Sequence, residues 1–268
     1  MKKRNPLFHY SLVISLVIFL VVFFQINIPF AERTTKAEYE MFTPGRLVYA
    51  VQDWSEVSED SETIETTFKV NCPSAQVTEY YWGTQFVFNE GSIGWFGMTS
   101  SCMGLGGNGF VFTICDGITA EAGIDGYLSK SIEPGNGLSC VLPYKWKNGV
   151  EYTFTLSSFS PKEESETISW DLNVVEKLTG NTIFVGSIET KSNWSTFYKW
   201  STQFVEYFGP ILDCETMPRG SIYFSPVKIN ESQILPVKEI WKTGSCDSKT
   251  EINQSNPEVL YIKTGSKY

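Results

Sequence analysis

The sequence predicts an all-β protein, an antiparallel β-sandwich or jelly roll preceded by one N-terminal transmembrane helix. Three observations predict it. Many short segments alternate apolar and polar residues with a period of two. No window after Phe30 carries an apolar stripe of period 3.6. Residues 7–30 contain no Asp, Glu, Lys or Arg.

The leader comes first. Its centre reads LVISLVIFLVVFF, and an apolar run of about 20 residues spans a bilayer as a helix. A cleaved secretory signal has a shorter apolar core and a small-residue cleavage site. The one cleavage candidate here, Ala31, has Pro29 at the −3 position. Residues 7–30 therefore read as an uncleaved signal-anchor, with a signal peptide and secretion as the alternative. Lys2, Lys3 and Arg4 keep residues 1–6 cytosolic and send the body to the lumenal or extracellular side.

The chain has 268 residues, 21 basic and 30 acidic, with a net charge of −9. Three of the basic groups precede Asn5, so the body is more acidic than the whole. Such a body repels phosphate backbones, which excludes nucleic acid as a partner. Aromatic residues make up 15 % of the chain, too many for a disordered composition.

All six cysteines, Cys72, Cys102, Cys115, Cys140, Cys214 and Cys246, lie in the exported body. An even count in an oxidising compartment predicts up to three disulfides, with every pairing open. Asn193, Asn230 and Asn253 each begin an N-x-S sequon and are glycosylation candidates in a eukaryotic source.

Residues 31–62 read as a stalk and a first strand over 47–54. The acidic run 55–62 lacks the D-x-D-x-D-G spacing of a calcium loop and reads as solvated. The sandwich is expected over 63–246 and a C-terminal tail over 247–268. In residues 63–70, Ile64, Thr66, Phe68 and Val70 share one face. Strands are also expected at 79–88, 93–98, 110–115, 150–156, 167–175, 182–188, 197–208 and 221–228, all rich in β-branched and aromatic residues. Glycine- and asparagine-bearing turns separate them, for example Lys147-Asn148-Gly149 and Thr179-Gly180-Asn181.

Several motifs occur in a fixed order: Glu79-Tyr80-Tyr81-Trp82; Gly94-Trp95-Phe96-Gly97-Met98; and the 110–116 run ending at Asp116. The run Gly135-x-Gly137…Ser139-Cys140…Pro143-Tyr144-x-Trp146-x-x-Gly149-x-x-Tyr152 follows, then Phe204-Val205-Glu206-Tyr207-Phe208-Gly209. Over residues 77–226 this resembles the domain of unknown function 3472 family of exported proteins. The resemblance implies a lectin-like β-sandwich and no particular activity. The chain departs from the family pattern at Thr99, where Gln is usual, and at Cys115, where Trp is usual.

The chemistry is bounded by one absence. The only histidine is His9, in the leader, so the body lacks the imidazole of Ser-His-Asp and Cys-His machinery and of most zinc sites. No cofactor or metal site is indicated. A carboxylate-dependent glycosidase would need two neighbouring acids, and Asp116, Asp171 and Glu206 are the candidates because each lies in or beside an aromatic strand. A polysaccharide lyase built on Lys or Tyr is a related alternative.

Recognition needs less. A sugar presents apolar faces and polar edges, which suits Trp and Tyr at a surface. Tyr144 and Trp146 share one face and are expected to form a platform, unless Trp146 plugs the end of the sandwich; Trp82 and Trp95 are further candidates. The sequence reading is thus a membrane-anchored recognition module for which carbohydrate is the leading ligand. A glycosidase or lyase, or an adhesive ectodomain, are the alternatives.

Overall fold

The computed structural model describes residues 46–53, 62–72, 79–89, 92–100, 107–130, 137–159, 166–209, 213–230, 233–235, 237–244, 246–256 and 259–265. In chain order the strands are β1 (Arg46–Asp53), β2 (Thr63–Asn71), β3 (Tyr80–Phe88), β4 (Ile93–Thr99), β5 (Gly109–Ile114), β6 (Thr119–Ala122), β7 (Tyr127–Lys130), β8 (Leu138–Pro143) and β9 (Glu151–Phe159). They continue as β10 (Thr167–Glu176), β11 (Thr182–Lys191), β12 (Phe197–Tyr207), β13 (Gly220–Phe224), β14 (Lys228–Ile229), β15 (Gln233–Ile234), β16 (Val237–Thr243), β17 (Glu251–Asn256) and β18 (Val259–Thr264).

Two antiparallel sheets face each other. The eight-stranded sheet runs β16-β1-β12-β3-β4-β5-β8-β7. The ten-stranded sheet runs β17-β18-β13-β2-β9-β10-β11-β6, with β14 and β15 attached beside β2. The predicted sandwich is therefore present.

Strand β2 shows how the sequence makes the core. Ile64, Thr66, Phe68 and Val70 are buried, while the alternate residues are half-buried on the other side. The ring of Phe68 lies 4.6 Å from that of Phe154 and meets Phe224 edge-on at 4.9 Å. Between the sheets Phe96 stacks on Phe154 at 5.7 Å. Burying each such ring contributes about 1.5–3 kcal/mol.

One layer of this core is polar. The Gln52 amide donates to Gln203 Oε1 at 2.9 Å, and Gln203 Nε2 donates to Thr66 Oγ1 at 2.9 Å and to the Ser225 carbonyl at 2.7 Å. The layer links β1 and β12 to β2 and the segment after β13, so it fixes how one sheet sits on the other.

Tryptophans close both ends. Near the Phe88 end of β3, Trp194 stacks on Phe88 at 5.7 Å. At the Tyr80 end, the strap from Tyr144 to Gly149 crosses between the sheets. Trp146 packs edge-on against Trp82 and donates its indole N–H to the Thr99 carbonyl at 3.0 Å. Asn148 accepts from the Cys72 N–H at 3.0 Å and donates to the Cys72 carbonyl at 2.5 Å. Gly149 takes φ of +71°, which glycine adopts without steric cost.

The sandwich is larger than expected at both ends. Strand β1 lies inside the eight-stranded sheet, between β16 and β12, rather than preceding the domain. The expected tail supplies β17 and β18, and β18 pairs with β13. Thr264 donates to the Tyr80 hydroxyl at 2.7 Å, which donates to the Pro218 carbonyl at 2.8 Å, so the last strand is tied into the core. Strands β6 and β7 carry few large apolar residues, and β14 and β15 are two residues each, so sequence alternation did not mark them.

Of the up to three disulfides expected, the described residues show one. Cys214 and Cys246 are joined, and Cys140 is a buried free thiol. Cys140 points between the sheets against Gly186, and its thiol faces the Glu121 and Ser187 carbonyls at 3.4 and 3.7 Å. Burial pushes this thiol up to about 12. The membrane segment 7–30, most of the acidic run 55–62, and Cys102 lie outside the described residues. Among the described residues no helix is long and apolar enough to cross a membrane.

Candidate functional site

Candidate side chains collect on the outer side of the eight-stranded sheet. Alternation sends Tyr80, Trp82, Phe86 and Phe88 of β3 into the core and leaves Tyr81, Gly83 and Gln85 on the other side. Pairing register then aligns rows of residues across the sheet. One row reads Trp241, Tyr49, Phe204, Gly83, Gly97, Val111, Val141 and Tyr127, from β16 to β7. The adjacent row holds Thr202, Gln85, Trp95, Thr113 and Ser139. On the other flank, Glu206, Tyr81 and Thr99 form a third row.

These residues make a second apolar cluster, separate from the core. Tyr81, Val111, Val141 and Phe204 are buried in it, with Tyr49, Trp95 and Tyr127 half-buried around them. Phe204 meets Tyr81 edge-on at 5.2 Å and Tyr49 at 6.2 Å. Its ring lies over Gly83, where a Cβ would approach Phe204 Cζ to 2.6 Å; glycine is required there for the ring to lie flat. Thr113 and Ser139 share a hydrogen bond of 2.8 Å in the polar row. Val111, Val141, Thr113, Ser139 and Thr202 are buried on this side, and Tyr49, Gln85, Trp95, Tyr127 and Glu206 are half-exposed.

The sequence-predicted residues are divided. Trp95 and Glu206 stand on this face, both half-buried. Trp82 and Trp146 do not: they are 0 % and 6 % exposed and belong to the core and its end closure. The Tyr144–Trp146 platform is therefore corrected to a structural strap. Tyr144 stacks on Phe110 at 4.9 Å and donates to Glu176 at 3.1 Å. Burial, then this hydrogen bond, raises its hydroxyl to about 12. Glu176 also accepts from Lys147 Nζ and from Thr179 Oγ1, each at 3.1 Å. The Lys147 hydrogen bond is the main reason its carboxyl lies below the ordinary value.

The three candidate acids are not brought together. Asp116 is exposed in the turn after β5, with φ of +57°. Asp171 follows the inward Trp170 on β10, so it lies on the outer side of the ten-stranded sheet. Glu206 lies on the outer side of the opposite sheet, with the roughly 10 Å sandwich between them. Among the described residues no cluster of three or more His, Cys, Asp or Glu could hold a metal ion. Of the sequons, Asn193 and Asn253 are exposed. Asn230 is half-buried at φ +46° and accepts the Glu62 N–H at 3.1 Å.

The sequence reading missed Tyr49, Tyr81, Gln85, Phe204 and Tyr127 as a group. The signal was available in part: Tyr81 and Trp82 are adjacent on one strand, and their period of two sends one of them outward. Which strands lie beside β3 was not readable from spacing. Thr99 falls on this face beside Tyr81.

No family model and no curated protein matches the chain. Among solved structures, it is similar to Scytalido-glutamic peptidase with a peptide-based transition state analog, at TM-score 0.46 and 12 % identity over 81 % of this chain and 97 % of that one. It is similar at TM-score 0.24 and 8 % identity to the marine PL-14 alginate lyase from Aplysia kurodai, over 58 % of this chain and 73 % of that one. Likenesses at these levels carry no activity to this chain.

Proposed function

We propose that this protein is a carbohydrate-recognition module that binds through the outer side of its eight-stranded sheet. The observation that carries this reading is that Tyr49, Trp95 and Tyr127 are half-exposed aromatic rings on this side, with the half-exposed Gln85 amide opposite Trp95. Sugar rings offer the matching pair of surfaces: an apolar face for stacking and hydroxyl edges for hydrogen bonds. The lectin-like resemblance in the sequence supports the same reading. The apolar segment 7–30 holds the module on the non-cytosolic side of a membrane in this reading, and the Cys214–Cys246 disulfide agrees with an oxidising compartment.

A glycan array probed with the full chain in a sugar-free detergent tests the proposal. Specific binding that falls at least tenfold in Trp95→Ala, with an unchanged cooperative melt, is expected. Failure of the folded protein to bind any glycan on a broad array overturns it. Turnover of a bound glycan that is lost in Glu206→Gln would instead favour an enzyme.

A further inference from the structure

We infer that the Tyr80 end of the sandwich lies against the phospholipid headgroup layer of the membrane that holds the chain. This rests on the reading of residues 7–30 as a retained membrane anchor. Two observations lead to it: the end at which the chain enters the sandwich, and the side chains exposed there.

The entry point comes from the register of β1. Arg46, its first residue, pairs with Tyr207, and Tyr207 pairs with Tyr80, so the chain enters β1 at the Tyr80 end. Asp53, its last residue, lies about 24 Å farther along the strand. Residues 31–45 separate the apolar segment from Arg46. However they are arranged, they span at most about 50 Å. The tether therefore holds the Tyr80 end within reach of the bilayer surface, and the Phe88 end stands a strand length farther from it.

The surface at the Tyr80 end is built as one piece. Glu176, the last residue of β10, accepts from Tyr144 Oη and Lys147 Nζ of the strap and from Thr179 Oγ1 of the β10–β11 turn, each at 3.1 Å. The Lys177 N–H donates to the Glu151 carbonyl at 2.9 Å, which fixes the turn beside the strap. Lys145, Lys147 and Lys177 are exposed on this surface. Lys147 pairs with Glu176, whereas Lys145 and Lys177 form no ion pair among the described residues. Of the other carboxylates at this end, Glu151 is matched by Lys69 and Glu215 by Lys249. Glu79 is half-buried, and Asp213 caps the short helical turn after β12. Leu178 is 68 % exposed beside Lys177, and Phe208, at the end of β12, is 55 % exposed. Lysines next to exposed apolar side chains suit a headgroup layer, because the ammonium groups meet phosphate while the apolar groups enter the acyl boundary.

The Phe88 end differs in charge. It also exposes apolar side chains, Ile118 and Phe159, but Glu62, Asp116 and Glu166 are exposed around them, against Lys130 and Lys191. Turned to a membrane, those carboxylates would face phosphate. On a chain of net charge −9, the lysine-bearing surface is the exception, and it is the one beside the tether.

The full chain, reconstituted into vesicles of phosphatidylcholine and phosphatidylglycerol, tests this with the photoreactive residue p-benzoylphenylalanine in place of Leu178 or, as the far-end control, of Asp116. Peptide mass spectrometry reads the lipid adducts, and carbonate extraction reads the anchor. A carbonate-resistant chain is expected, with an adduct yield at position 178 at least fivefold that at position 116. Lys145→Glu/Lys177→Glu should lower the yield at 178 at least threefold with an unchanged cooperative melt, and Lys145→Gln/Lys177→Gln serves where the reversed charges unfold the chain. Equal yields at the two positions in a carbonate-resistant chain overturn the headgroup contact and leave the anchor standing. A yield at 178 that neither double substitution changes overturns the part assigned to the lysines. Release of the chain by carbonate overturns the anchor reading, and this inference with it.

Discussion

The indole of Trp146 donates to the Thr99 carbonyl across 3.0 Å, so the strap that closes the sandwich is bonded to the strand that carries the candidate site. Trp146 comes from the strap between β8 and β9, and Thr99 from the end of β4. Through this bond a structural feature and a site residue share one support.

Trp146→Phe should keep most of the burial and lose the hydrogen bond, lowering stability by about 1–2 kcal/mol. Trp146→Ala also opens a cavity beside Trp82 and should cost about 3–5 kcal/mol. Urea unfolding of the two variants measures the difference. Equal losses in both would show that packing alone, and not the bond to Thr99, holds the strap.

The strap also predicts behaviour in acid and in alkali. Glu176 is buried and its carboxyl lies below the ordinary 4.5, chiefly through Lys147. Its contribution is therefore present above about pH 4.5 and is lost as pH falls through the depressed folded value. Tyr144 works in the opposite direction, because its folded value is raised from 10.0 to about 12. Its contribution is complete below pH 10 and is lost as pH climbs toward 12. Melting temperature against pH should show both limbs in the native chain. Glu176→Gln should flatten the acid limb, and Tyr144→Phe the alkaline limb.

Part of this architecture was legible in the sequence because it depends on neighbours along one strand. The inward set Ile64, Thr66, Phe68 and Val70 follows from a period of two, and so does the outward placement of Tyr81 beside Trp82. What depends on strand order was not legible. Asp171 and Glu206 look equivalent in sequence, yet one sits on each sheet, facing away from the other. Tyr144 and Trp146 carry the composition of a sugar platform, but their partners, Glu176 and Thr99, come from distant turns and strands. Aromatic residues near an Asn-Gly turn fit a ligand platform and an end closure equally well until those partners are known.

The disulfide gives a third prediction. Cys214 and Cys246 are separated by 32 residues, a loop that contains β13 through β16. Closing a loop of that length restricts the unfolded chain by about 3–4 kcal/mol in the chain-entropy account. The Cys214→Ser/Cys246→Ser variant should lose stability of that order. Hydrogen exchange should rise first in β16, which among the described strands lies at the sheet edge beside β1. A variant as stable as the native chain would show that the loop is already ordered by its strand pairings.

Cys140 separates buried from reactive sulfur. It is fully buried, its thiol is held at about 12, and the neighbouring backbone at Gly186 leaves no space beside it: a Cβ there would reach Sγ at 2.5 Å. A thiolate is the reactive form, so Cys140 should resist iodoacetamide at pH 8 until the sandwich opens. Gly186→Ala should force β11 away from β8 and destabilise the fold by about 1–3 kcal/mol through overpacking. In that variant alkylation of Cys140, read by peptide mass spectrometry, should become measurably faster under native conditions. Rapid labelling of Cys140 in the native chain would contradict the closed packing of β8 against β11, because no reagent could reach the sulfur without parting the two sheets at that edge.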